Sequence, residues 1–509
     1  MCYFCRESKN PLQLISFIKS AWKSLKASEH FSVWMVMGAF ALLQCVGITD
    51  PPLEMAHSWR QAFTSMVTRN YVELGMDWLH PRIDMAGEKT GIVGAEFPIF
   101  NFLAVLLARV FGYAHWHGRV VNLVVVVWGA YHFYCLLKYR FTERTALFSV
   151  SILLCSSWFT FSRKAMPDTF SVSLVLVGLR YGFDYWFFGR WRSFIWAMFA
   201  ISLGVLSKIP AISLLAIVAV LPFSHIEHKG RAVAVCLGLT MAVLPSLWWY
   251  FYWVPVLNQQ YGYHLFFPKG LVEGWHEIVP LWRLLLEKFY FTSFYSFLAL
   301  FFAFVGMIAL KKRAMRLESL ALAMVTVVFG LFILKTGAVF PQHTYYSVPF
   351  VPVMALLSGL GLDFLTTGSY GLKDRWYQKP WVGFSMLILL SAEAISNQFH
   401  DHFIKPSEEY KLTLESELAA VIPMDAKVVF ASSASPQELY LLHRKGWTLY
   451  MEQLLEDSAI ENYQKLGAQY VIINLPVLEK APQKSSVEQA LGAYPLFYQS
   501  AYYKVYRLR

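Results

Sequence analysis

Long apolar runs alternate with short polar connectors over most of the chain. About 20 mostly apolar residues in helical form cross the ~30 Å core of a bilayer. On that measure 31–48, 118–138, 143–162, 167–188, 192–207, 208–224, 230–253, 288–310, 316–335, 341–364 and 379–396 predict eleven membrane-spanning helices. The apolar stretch 97–112 predicts a helix lying on or dipping into the membrane. A crossing there, or an overlooked hairpin, raises the count to twelve or thirteen. Three polar segments remain: a first loop, 49–117, whose 56–75 portion predicts an amphipathic helix; an aromatic-rich loop, 254–287; and a tail, 397–509.

The tail has shorter periods. Residues 427–432 and 469–474 are β-branched runs closed by turn residues, 502–508 predicts a last strand, and 436–444 and 458–466 predict helices. The expected fold is therefore an α-helical polytopic membrane protein with a small C-terminal α/β extracytoplasmic domain. Its expected divisions are a cytoplasmic segment 1–30, a transmembrane domain 31–396 and the tail domain 397–509.

Composition supports that class. Hydrophobic residues make up 57% of the 509 and charged residues 15%, against about 25% charge in soluble domains. Mean hydropathy is +0.43. A disordered chain and an ordinary soluble enzyme are excluded. The net charge of +11 does not indicate nucleic acid, because the basic residues sit in short connectors, where they set orientation in a membrane. That rule puts the N-terminus in the cytoplasm and the tail outside, the first run being a retained signal anchor. The pair Arg163/Lys164 breaks the rule by falling on the outer face. Six cysteines imply no disulfide framework, and the lone Cys2/Cys5 pair has no second pair to complete a zinc site.

Candidate chemistry collects on the outer side. Asp50 ends the first run, where a partly desolvated carboxylate can act as a general base; the plain alternative is a turn acid before two prolines. Glu54 is the competing acid. His57 and Arg60 are three apart and share a face if helical, either gripping a phosphate or facing solvent. Glu96 precedes an apolar helix, as an ordinary first-turn acid or as a ligand. Asp168 opens a helix behind Pro167, where it caps the helix, pairs with Arg163 or joins a site. Lys208, His343 and Tyr345 lie at the outer ends of spans, where ionisable groups are expensive and mark candidate sites. Several cations with two or three carboxylates suit a lipid-linked phosphate and an acceptor hydroxyl or amine.

Asp77-Trp78-Leu79-His80-Pro81-Arg82 followed by Glu96-Phe97-Pro98 resembles the "D-W-L-x-P-R … E-K-P-P" loop of GT-C membrane glycosyltransferases. Arg163…Met166-Pro167-Asp168 is similar to their "R…M-x-D", Gly204 to Lys208 to their lysine segment, and His343 to Pro349 to "H-P-R-Y-x-x-P". Within that superfamily the chain resembles protein O-mannosyltransferases and lipid A aminoarabinose transferases, over about 45–365. His57-Ser58-Trp59-Arg60-Gln61 resembles a bacterial glycosyltransferase-like branch.

The resemblance implies an inverting transfer from a polyprenyl-phosphate sugar to a glycan, glycolipid or protein acceptor, on the periplasmic side of a bacterial inner membrane. It implies Asp50 or Glu54 as base, and Arg163, Lys164, Lys208, His343 and Tyr345 around the lipid phosphate. His57, Glu96 and Asp168 would orient the acceptor or hold these cations. Phe97 stands where the family has lysine, so Arg60 or Arg82 would supply that contact. No cofactor is implied; no ligand spacing indicates a metal, and a divalent ion is left open. A transporter of polyprenyl-linked sugar or polysaccharide is the alternative function, and an envelope-assembly scaffold a third.

Overall fold

The computed structural model describes residues 30–224, 228–263, 268–367 and 376–508. The N-terminal basic segment with Cys2 and Cys5, and the connector residues Lys373 and Arg375, lie outside them. Apolar helices dominate. By length and composition His117–Leu137, Lys229–Tyr261 and Arg316–Thr336 can each cross a membrane, and Leu271–Thr292 with Phe297–Lys312 forms a further candidate bent by 93°. The other expected spans appear as shorter or more polar helices. Pro167–Phe188 has 22 residues but carries Asp168, Arg180 and Asp184. Residues 143–162 divide into Glu143–Cys155 and Trp158–Phe161. Ile209–Val220 winds as a 3₁₀ helix of 12 residues; at about 2.0 Å per residue it reaches as far as a longer α-helix. The 97–112 stretch forms Ile99–Phe111, 13 residues with one buried face, too short to cross.

Small residues let the helices approach closely. Pro167–Phe188 packs on Trp191–Ser207, and Phe297–Lys312 on Val351–Thr366. A Cβ on Gly178 would stand 2.5 Å from Ile201 Cγ1, and one on Gly361 would stand 1.9 Å from the Phe302 carbonyl oxygen. The helices break where polar residues must be presented. Lys208 is extended between Ser207 and the proline-started turn that follows.

The tail folds around a five-stranded sheet of order β2-β1-β3-β5-β4. Its strands are β1 (Lys427–Ala431), β2 (Lys445–Leu449), β3 (Tyr470–Asn474), β4 (Leu496–Gln499) and β5 (Tyr503–Arg507). β1 pairs in parallel with β2 and β3, and β5 runs antiparallel to β3 and β4. The pattern of apolar residues predicts β1, β3 and β5. It misses β2, which contains Gly446, and the exposed edge strand β4. The glycine is required because a Cβ there would lie 1.8 Å from the Val428 carbonyl oxygen.

The first loop and the sheet share one apolar core. Leu53, Phe63, Met66 and Tyr71 pack with Leu414, Val428, Phe430 and Leu439. The helix expected to be amphipathic over 56–75 is Ser58–Leu74, and it is buried continuously from Arg60 to Tyr71. It lies between Ile99–Phe111 and the tail helix Gln437–Leu442. Arg69 fastens this joint: it donates to Asp84 Oδ2 and to the Tyr440 carbonyl, each at 2.7 Å.

Candidate active site

Four charged residues from four separated segments meet in one network. Arg60 pairs with Glu96. Lys208 lies 2.7 Å from Asp168 Oδ1 and 3.5 Å from Glu96 Oε1. Local structure sets each one. Pro167 starts its helix and leaves Asp168 in the first turn, where the helix dipole favours a carboxylate. Arg60 occupies the first turn of Ser58–Leu74, the wrong end for a cation, and Glu96 offsets that cost. Burial alone would raise the Glu96 carboxyl, but Arg60 and Lys208 hold it down at about 2.

Tyr345 and His57 close one side of this network. The Lys208 ammonium sits 4.8 Å from the Tyr345 ring centroid. His57 meets that ring edge-on at 4.7 Å and its Nε2 is 3.0 Å from Thr344 Oγ1. His343 and His57 lie 5.6 Å apart between ring centroids. Burial, His343 and the surrounding lysines push the His57 imidazole down to about 3, so it is neutral near pH 7. His57 and Ala56 both adopt left-handed backbone, φ +61° and +59°, strain of a kind that persists where surroundings enforce it.

A second cluster is closed to solvent. Glu54 accepts from Arg163 and from Lys164 at 2.7 Å, and Arg119 is 3.2 Å away. All four side chains are at most 1% exposed. Burial would raise the Glu54 carboxyl, but the three cations outweigh it and lower it. Burial lowers the Lys164 ammonium to about 8, against the opposing pull of Glu54. Lys164 gives its three N–H groups to Glu54, the Met55 carbonyl and the Asp401 carbonyl, so it retains no donor.

Asp50 differs from Glu54. It is half-buried, and no hydrogen bond or ion pair engages its carboxylate among the described residues. A Cβ on Gly47 would stand 2.8 Å from Asp50 Oδ2 and 3.6 Å from Arg163 Nη2, so both groups face the space above Gly47, whose φ of +66° suits glycine.

Cavities flank the open network. One of about 210 Å³ is lined by Asp168, Ser171, Lys208, Ala211, Tyr345 and Pro349. Another of about 340 Å³ touches Glu96, Phe97, Asn101 and Pro167. A larger cavity of about 910 Å³ is lined mainly by apolar side chains, among them Leu176, Leu214 and Pro352. These residues lie three or four positions beyond Val172, Ala211 and Pro349 of the first cavity. Polar and apolar cavities therefore follow one another along the same three segments.

The structure thus joins Arg60, Glu96, Asp168, Lys208, His57, His343 and Tyr345. It draws Glu54, Arg163 and Lys164 into the closed cluster, which leaves Glu54 sequestered from an acceptor. Arg82 lies apart from this network: its backbone bridges Ile92, and no side-chain contact joins it to the network among the described residues. Phe97 packs against Trp78 and Trp249. The pattern of residues missed Arg119, whose signal is a lone arginine opening the run 118–138. Among the described residues no group of three or more His, Cys, Asp or Glu is arranged to hold a metal.

The helical bundle with its appended sheet has the GT-C membrane glycosyltransferase fold. A family described as dolichyl-phosphate-mannose-protein mannosyltransferase matches residues 95–249. The structure of ArnT from Cupriavidus metallidurans, bound to undecaprenyl phosphate, is similar over 94% of this chain and 98% of its own, with TM-score 0.59 and 12% identity. The archaeal oligosaccharyltransferase AglB from Archaeoglobus fulgidus, in complex with an inhibitory peptide and a dolichol-phosphate, is similar over 92% and 73%, with TM-score 0.55 and 12% identity. No curated protein sequence matches the chain significantly.

Proposed function

We propose that the chain transfers a sugar from a polyprenyl-phosphate donor to a glycan, glycolipid or protein acceptor, on the periplasmic side of a bacterial inner membrane. The observation carrying this reading is the succession of cavities. A cationic seat at Lys208 and an apolar cavity are lined by residues three or four positions apart on the same segments, an arrangement that suits a charged head joined to a hydrocarbon tail. The fold shared with ArnT and AglB, described with undecaprenyl phosphate and dolichol-phosphate respectively, supports it.

In this reading Arg60 and Lys208 hold the phosphate. Each keeps N–H donors beyond those used by Glu96 and Asp168. Asp50 takes the acceptor proton; the acceptor oxygen or nitrogen bonds to the sugar C1, and the C1–O bond to phosphate breaks with its electron pair leaving on the lipid phosphate. Attack opposite the leaving group inverts the anomeric centre. The Glu54 cluster holds Arg163 and the first loop in register beside Asp50. A metal is not required by this scheme.

The test is release of polyprenyl phosphate from polyprenyl-phosphate sugars extracted from host membranes, using purified full-length protein. Wild type is expected to release it in the presence of an acceptor extract. Lys208→Met is expected to lose about 10²-fold or more, the scale of one removed charge-stabilising group. No release by wild type contradicts the reading.

A further inference from the structure

Lys288 is a largely buried residue whose ammonium keeps a path to solvent and has no counter-charge among the described residues. Its residue is 7% exposed, yet its ammonium makes no hydrogen bond or ion pair among the described residues. The adjacent acid does not serve it: Glu287 Oε1 accepts from Thr292 Oγ1 at 3.1 Å. Lys288 opens a π-helical turn, Lys288–Thr292, and such turns recur at functional sites. This turn packs on Thr344–Ser347, the segment carrying Tyr345. The Lys288 charge reaches both His57 and His343. Near pH 7 His57 adds no charge, while Arg60 and Lys208 are offset by Glu96 and Asp168. Among the described residues Lys288 is therefore a charge on that side of the site with no counter-charge. An ammonium left without a partner there has its N–H donors available for an anion.

We propose that Lys288 is a phosphate-binding residue for the departing lipid phosphate. The inference rests on the donor reading above and deepens it. The intact donor is a phosphodiester with one negative charge. When the C1–O bond breaks, its electron pair stays on phosphate, which becomes a monoester with up to two. An extra cation beside the seat stabilises the product and the transition state more than the donor, and that difference accelerates the reaction.

The test compares binding of undecaprenyl phosphate, its methyl ester (the singly charged mimic) and undecaprenol to the purified full-length protein at pH 7.5. Wild type is expected to prefer the monoester over the methyl ester by about tenfold, the scale of one hydrogen bond to a charged group. Lys288→Met is expected to bind the two about equally, and Lys288→Arg to keep the preference. Without lipid, Lys288→Met is expected to melt at the same or a higher temperature, because it removes an unpaired charge. An unchanged preference in Lys288→Met, or a melting temperature below wild type, overturns the proposal. If wild type binds neither phosphate better than undecaprenol, the donor reading itself fails.

Discussion

Asp50 and Glu54 stand four residues apart and have opposite surroundings. Glu54 is enclosed by Arg119, Arg163 and Lys164, so Glu54→Gln leaves three cations facing one another. Breaking a buried ion pair costs about 3–5 kcal/mol; the variant is expected to melt well below wild type or to fail to accumulate. Asp50→Asn is expected to melt within a few degrees of wild type, because no ion pair is lost, and to lose transfer. Thermal melts of both variants in detergent check this contrast. His402 sets a pH dependence. Burial and the cations of the closed cluster hold its imidazole down at about 2, so it stays neutral in the fold while the unfolded chain protonates near 6.5. Its contribution is present above pH 6.5 and is lost as pH falls, by about 2 kcal/mol at pH 5. The melting temperature is expected to fall between pH 7 and 5, and less steeply in His402→Phe, which keeps a ring against Phe159 and stacked on Phe399. Residues at the ends of apolar runs, such as Lys208 and Asp168, were legible as site candidates because polarity interrupts a pattern there. Arg119 and Lys288 also open apolar runs, but they fall in none of the motifs that carry the resemblance. The motif around Arg82 places its backbone against Ile92, and no side-chain contact joins it to the network among the described residues.

The apolar pattern located the helices well and their ends poorly. The break at Ser156 leaves the Ser157 N–H to donate to the Ser293 carbonyl, a tertiary contact; the break at Lys208 also has a local cause, Pro210 two residues on. The strands β1, β3 and β5 were readable from β-branched runs; β2 was hidden by Gly446, whose role is a backbone approach with no trace in polarity. Close helix packing makes a further prediction. Gly361→Ala puts a methyl against the Phe302 carbonyl, so the helices must separate. Overpacking of this kind costs about 1–3 kcal/mol, expected as a lower melting temperature. Gly330→Ala, whose added Cβ would meet nothing within 4 Å, is expected to be neutral or slightly stabilising.

The tail and first loop bury one core between residues some 350 positions apart, which no local reading of the chain reveals. Arg69 and Tyr440 bind these parts beside the helix that carries Arg60, so the sheet is part of the site's support. Sugar transfer with Asp50 as base can be checked in cells. The most direct measurement is mass spectrometry of envelope glycans and glycolipids from a deletion strain complemented with wild type or with Asp50→Asn. The account predicts a missing sugar mass restored by wild type and not by the variant. An unchanged glycan profile in the deletion strain, or equal rescue by both, would contradict it.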